Sequence, residues 1–148
     1  MSASLFRRIN LFVGMIQLIV GIRVATCPEK CSSCDAVMKC YGVTFVPPGK
    51  NTRLLYLYDS HMESITNTTF ANHIDIIRIY LKNVSVSVLH PNSFSRLRYL
   101  IFLTITESQM IEIPSGAFQG AEILRYLSLS NNCIHSIQDA AFEGAINL

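Results

Sequence analysis

No catalytic constellation can be assembled from this sequence. Serine and aspartate are common, but none sits in a nucleophile-elbow or triad pattern, and no phosphate-binding glycine loop is present. The histidines, His61, His73, His90 and His135, are scattered. Neither an enzyme nor a cofactor is expected. Basic charge is also scarce. Arg7, Arg8 and Arg23 lie in the first 26 residues, which hold no acid. The remainder sets nine Lys and Arg against ten Asp and Glu, a net charge of −1. That leaves no basic patch for nucleic acid and no charge-driven attachment to a membrane surface. After residue 26 there is no membrane-spanning run and no lipid-anchor signal.

The basic residues at the start belong to a different pattern. Arg7 and Arg8 precede a largely apolar run from Leu11 to Ile22, interrupted by Gly14, Gln17 and Gly21. The run falls short of the roughly 20 residues that span a bilayer, and a small-residue boundary follows at Val24-Ala25-Thr26. Residues 1–26 are therefore read as a secretory signal, cleaved near Thr26; an uncleaved signal anchor is the alternative. Localisation is expected to be extracellular or at the cell surface.

What the chain does have is a beat. Phe70, Phe94, Phe118 and Phe142 recur every 24 residues. Aliphatic columns keep the same period: Thr52, Ile76, Leu100, Leu124 and Leu148; Leu55, Ile79, Leu103 and Leu127; Leu57, Leu81, Ile105 and Leu129. Met62, Val86, Met110 and Ile134 form a further column, as do Ile65, Leu89, Ile113 and Ile137. A fixed period of this length marks a solenoid whose units complete one another's cores. The L-x-L alternation points two side chains to one face of a short strand, so parallel strands are expected near 55–57, 79–81, 103–105 and 127–129. Amphipathic helices of a helical repeat are the alternative. The period-2 alternation, the β-branched content and the turn at Asn131-Asn132 argue against them.

Each unit, clearest in LRYLSLSNNCIHSIQDAAFEGAIN from Leu124, resembles the 24-residue extracellular leucine-rich repeat; the third carries Ile113-Pro114 and Ala117-Phe118. The resemblance implies an α/β horseshoe with a parallel concave sheet. It divides residues 52–148 into repeats 52–75, 76–99, 100–123 and 124–147 and the start of a fifth. The family's ninth position is usually Asn. Here it is Ser60, Val84, Ser108 and Asn132, so the first three turns are expected to be irregular, with the register in doubt around 82–86.

Between signal and repeats lie Cys27, Cys31, Cys34 and Cys40. In an exported chain they read as two disulfides; a zinc site is the alternative, disfavoured by an oxidising compartment. Spacing alone allows three connectivities. CPEKCSSCDAVMKC followed by VTFVPPG resembles the N-terminal cap of extracellular leucine-rich repeat proteins, here residues 27–51, with an additional residue between the second and third cysteines. That resemblance implies Cys27–Cys34 and Cys31–Cys40. A hairpin pairing Val37–Cys40 with Val43–Val46 is expected to cover the first strand. No cysteine cluster follows the repeats, so the chain, ending on the first position of a fifth repeat, reads as part of a longer protein without a C-terminal cap. Cys133, the odd cysteine, is read as a half-buried free thiol; a bridge to a partner is the alternative. His73, in a usually apolar column, is read as structural.

Function is expected on the concave side. The outward columns are Leu54, Arg78, Phe102 and Tyr126; Tyr56, Tyr80, Thr104 and Ser128; Tyr58, Lys82, Thr106 and Ser130; and Asp59, Asn83, Glu107 and Asn131. Tyr56, Tyr58, Arg78, Tyr80, Lys82, Phe102 and Tyr126 are the candidate contacts for a protein ligand, since Tyr and Arg concentrate at interface hot spots. Lateral stacking that merely stabilises the sheet is the alternative. Asn67-Thr68-Thr69 and Asn83-Val84-Ser85 are glycosylation acceptors, the first in a turn and the second at the edge of the strand face.

Three families offer likenesses. LYLYDSHMESITNTTF and the stretch through IYLKNVSVSVLHPNSFSRLRYLIFLTI resemble single-pass membrane proteins of the synleurin type, which implies a receptor or modulator anchored beyond Leu148. FANHIDIIRIY resembles the first repeats of glycoprotein-hormone-receptor-like ectodomains. A secreted matrix protein of the small proteoglycan kind is the third reading, although the Ser-Gly acidic segment is lacking.

Overall fold

The computed structural model describes residues 27–49 and 51–148. The expected export signal lies outside them. Among the described residues ten strands run in chain order: β1 (Cys31–Cys34), β2 (Val37–Tyr41), β3 (Leu54–Ser60), β4 (Ser64–Ile65), β5 (Arg78–Val84), β6 (Val88–Leu89), β7 (Phe102–Thr106), β8 (Glu112–Ile113), β9 (Tyr126–Ser128) and β10 (Ser136–Ile137). One six-stranded sheet has the order β1-β2-β3-β5-β7-β9, and β4-β6 and β8-β10 form two short pairs on the return path. All pairings are parallel except β1 with β2.

The register reproduces the beat. Leu55 faces Ile79, which faces Leu103; Leu57 faces Leu81, which faces Ile105. All six are fully buried. On the far wall Phe70, Phe94 and Phe118 are buried and stack at 5.9 and 5.7 Å between centroids, and Phe142 continues the column at 5.5 Å. Each ring thus fills the space beneath the next, which is how one repeat supplies the core of its neighbour.

The convex side carries no helix among the described residues. Its chain advances by isolated three-residue bonds, Ala117 N to Pro114 O, Gln119 N to Gly116 O and Ala121 N to Phe118 O. Left-handed backbone at Gly116 and Gly120 interrupts any continuation into i→i+4 bonding.

The cap differs from expectation. Its hairpin pairs β1 with β2, not Val37–Cys40 with Val43–Val46. Gly42, at φ 60°, ends β2 and turns the chain away. Residues 43–46 instead lie over the first repeat, with Val43 buried, its N–H donating to Ser60 Oγ and its carbonyl accepting from His61 N. β2 then pairs in parallel with β3 over five residues, so the sheet continues unbroken from cap to repeat. The bridges are Cys27–Cys34 and Cys31–Cys40, which leaves none of the four thiols to hold zinc.

The register is unshifted around 82–86, but the turn there is irregular as expected: Val86 N bonds to Val84 O, two residues back, at 2.6 Å. The β3–β5 register runs without a shift to Ser60 opposite Val84, and both strands are seven residues long. Val84 is fully buried and extends the core where other repeats place a polar side chain. A β-branched residue favours the extended backbone it adopts here. Asn132 acts as the family position implies: its Nδ2 donates to Ile105 O at 2.7 Å and Leu129 O at 2.9 Å, tying two repeats together. Ser60 and Ser108 make one short-range version each, to Tyr58 O and Thr106 O.

His73 joins cap and first repeat. It is 3% exposed, its ring Nε2 lies 2.8 Å from Pro47 O, and Nδ1 has no partner. A carbonyl only accepts, so Nε2 carries a proton, and buried Nδ1 has no acceptor for a second one. Burial lowers its pKa below the ordinary 6.5, opposed by the Pro47 bond. Below about pH 6.5 the unfolded chain therefore binds a proton that the folded chain refuses, and stability falls as pH falls. Urea midpoints measured at pH 7.5 and 5.5 are expected to drop in the wild type and to drop less in His73→Gln. Equal drops would contradict the assignment.

Candidate functional site: the concave face

The outward residues of the main sheet form a grid. Along the strands the outward positions are Val37, Lys39 and Tyr41 on β2, Leu54, Tyr56 and Tyr58 on β3, and Arg78, Tyr80 and Lys82 on β5. They continue as Phe102, Thr104 and Thr106 on β7 and Tyr126 and Ser128 on β9. Inward positions alternate with these because successive strand side chains leave opposite faces.

The candidate residues Tyr56, Tyr58, Arg78, Tyr80, Lys82, Phe102 and Tyr126 share this one surface. The aromatic ones do not stand in one straight column. They form a stacked ridge that crosses the sheet diagonally. Tyr41 stacks on Tyr58 at 5.1 Å, Tyr58 lies 6.1 Å from Tyr56 on the same strand, and Tyr56 stacks on Tyr80 at 4.5 Å and 5°. The ridge then shifts one outward position toward the strand starts, from Tyr80 to Phe102 at 5.1 Å and on to Tyr126 at 5.6 Å. Tyr41 and Tyr126 are more than half exposed, and the rings between them are half-buried by one another. Crowding shows in Tyr58, whose phenol pKa is raised first by burial, then by Tyr41 and Tyr56, with Lys82 opposing.

Two cations flank the ridge: Lys39 Nζ lies 5.3 Å from the Tyr56 ring and Arg78 lies 6.0 Å from that of Phe102. Lys82 lies on the other side and pairs with Glu107 at 3.3 Å. Beyond it the strands end in a column of left-handed residues, Asp59, Asn83, Glu107 and Asn131, with φ between 48° and 57°. Asn and Asp tolerate that backbone, and Asn83 Nδ2 donates to Asp59 Oδ1 at 2.7 Å.

Tyr41 and Lys39 were missed in the sequence. They lie outside the 24-residue beat, because the cap is not a repeat. The alternation of Val37, Lys39 and Tyr41 with buried Met38 and Cys40 is the signal that locates them. Of the acceptor asparagines, Asn67 is exposed on the return turn before Phe70 and Asn83 is exposed at the strand-end edge of the concave face. Cys133 is exposed, contrary to the half-buried thiol expected: it sits on the last repeat, which covers its backbone through Cys133 N to Met110 O but not its side chain. Among the described residues no three His, Cys, Asp or Glu gather where they could hold a metal ion.

The family model for leucine-rich repeats matches residues 102–148. The chain is a leucine-rich repeat protein. Among curated relatives, Leucine-rich repeat-containing G-protein coupled receptor 4 of Mus musculus is 30% identical over 85 residues, 57% of this chain and 9% of the receptor. The Xenopus tropicalis receptor of the same name is 31% identical over 111 residues, 72% of this chain and 11% of the receptor. The chain thus spans about a tenth of the length of these relatives. Among solved structures, TLR13 in its ssRNA13 complex superposes with a TM-score of 0.57 at 25% identity, covering 66% of this chain and 14% of TLR13. This leucine-rich repeat chain therefore shares its fold with part of TLR13.

Proposed function

We propose that this chain is the N-terminal recognition module of an exported cell-surface receptor, binding a protein ligand on its concave face, with no catalytic step of its own. The observation that carries this reading is the aromatic ridge. Six rings stand on the side of the sheet away from the core, so their order is not needed to fill the interior. Tyr-rich surface of this kind supplies contact area at low entropic cost. Two disulfides in the cap suit the oxidising secretory route.

Sheet stabilisation by lateral stacking is the competing account, and one experiment separates them. In the double variant Tyr56→Ala, Tyr80→Ala, affinity for a protein ligand recovered from an extracellular screen is expected to fall at least about a hundredfold, as hot-spot losses of roughly 2 kcal/mol or more imply. Secreted yield is expected to stay unchanged. Unaltered affinity would show that the ridge serves the sheet alone.

The similarity to a G-protein-coupled receptor favours, for the whole protein, an ectodomain ahead of a seven-helix bundle over the synleurin-type single span. Reading the transcript beyond Leu148 decides between them, and finding no membrane span there would favour the secreted matrix reading.

A further inference from the structure

The diagonal course of the ridge divides the concave face into two unlike flanks. On the strand-end side lie Lys82, Thr104, Thr106 and Ser128, and Lys82 is already neutralised by Glu107. On the strand-start side lie Val37, Lys39, Leu54 and Arg78. None of these outward positions is acidic, and among the described residues neither Lys39 nor Arg78 has a carboxylate within ion-pair distance. Both cations are held against ring faces of the ridge. Two fixed, unpaired positive charges beside an apolar strip are a distinctive feature in a chain whose net charge without residues 1–26 is −1.

The ring geometry narrows what can lie there. Tyr41, Tyr58, Tyr56 and Tyr80 turn their faces to one another, at 22°, 14° and 5°. A nucleobase or sugar ring would have to break these stacks to enter the middle of the ridge; the end rings Tyr41 and Tyr126, each stacked on one neighbour and more than half exposed, are the places where it could lie. Along the middle of the ridge ring edges, which are electropositive, and phenol hydroxyls face outward. Edges, hydroxyls and two cations along the strand-start flank favour an acceptor-rich, anionic partner there.

Resting on the concave-face reading above, we propose that the strand-start flank receives an extended acidic segment of the protein ligand. Its carboxylates pair with Lys39 and Arg78, and the apolar side chain midway between them, which shares their face, covers Leu54. Lys39 and Arg78 stand two strands and one outward position apart, about 12 Å from strand spacings of about 4.8 Å and a rise of about 3.3 Å per residue. An extended peptide places same-face residues i and i+4 about 13 Å apart, so two acidic residues four positions apart span both cations.

The test uses three fluorescein-labelled probes on the purified chain: a ten-residue Thr/Val peptide with two Glu four positions apart, the same peptide with Lys in their place, and a ten-nucleotide oligouridylate. The Glu peptide is expected to bind about tenfold tighter than the Lys peptide, as two surface ion pairs of somewhat under 1 kcal/mol each imply. The double variant Lys39→Glu, Arg78→Glu is expected to reverse that preference, while Ser128→Glu on the opposite flank changes it less than about twofold. Glu-peptide binding that survives the double reversal overturns the proposal, as does equal binding of the two peptides, preference for oligouridylate, or no binding of any probe. Binding that survives the reversal but is lost in Tyr56→Ala, Tyr80→Ala removes only the flank assignment. Binding indifferent to both pairs removes concave recognition as well.

Discussion

Phe94→Ala is expected to lower the free energy of unfolding by about 3–5 kcal/mol, the range for truncating a fully buried aromatic. Phe94 is fully buried and stacks on Phe70 at 5.9 Å and on Phe118 at 5.7 Å. Its removal therefore opens a cavity and ends two aromatic contacts, each of about 0.5–1.5 kcal/mol. The solenoid responds as a chain of neighbours, because each repeat is held mainly by the next. Phe142 provides the internal control. It is 39% exposed and stacks only on Phe118. Phe142→Ala is expected to cost less than half as much. Urea denaturation of the two variants checks the contrast, and equal losses would mean that the phenylalanine column is not a continuous spine.

The second large effect lies at the other end of the core. Opening the Cys31–Cys40 bridge by the double change to serine is expected to cost about 3 kcal/mol, in the usual range for a native bridge that closes a short loop. Cys40 is fully buried beside Met38, and its strand β2 covers β3 along five paired residues. Without the bridge β1 no longer holds β2 in place, and the apolar edge at Leu55 and Leu57 is presented to water. In the other bridge neither cysteine is fully buried: Cys27 is half-buried, and Cys34 packs against the core from its margin. Hydrogen exchange at residues 54–58 reads the effect. Protection there that matches the wild type after loss of Cys31–Cys40 would show that β2 stays docked without the bridge.

The repeat was legible because its physics is periodic. A side chain that fills the space under its own copy must recur at one spacing, so the columns of Leu55, Leu57 and Phe70 carry the fold openly. The same alternation placed Tyr56, Arg78 and Phe102 on one outward face. What was not legible is what the period does not govern. The cap follows its own rules. Val43–Val46 has the composition of a strand, but Gly42 turns it over the first repeat, where Ser60 Oγ takes the Val43 N–H. Val84 breaks the polar rule of its column, yet the site it fills is dry, and packing replaces the hydrogen bond. The ridge was hidden for a related reason. Columns compare identical positions and show Tyr56 beside Tyr80 and Phe102 beside Tyr126, whereas the steps that join these pairs into one ridge, Tyr58 to Tyr56 and Tyr80 to Phe102, run between positions and appear in no column. Lys39 and Tyr41 were invisible to a 24-residue ruler because they precede its first mark.

The central claim is that a ligand is recognised on the concave side of the sheet, along the ridge. The most direct measurement is hydroxyl-radical footprinting of the purified chain with and without a bound protein ligand. Protection is predicted at Tyr56, Tyr80, Phe102 and Tyr126, with Tyr99 and Phe45, exposed on other surfaces, oxidised as before. Protection of Tyr99 or Phe45 with an unchanged ridge would contradict the account.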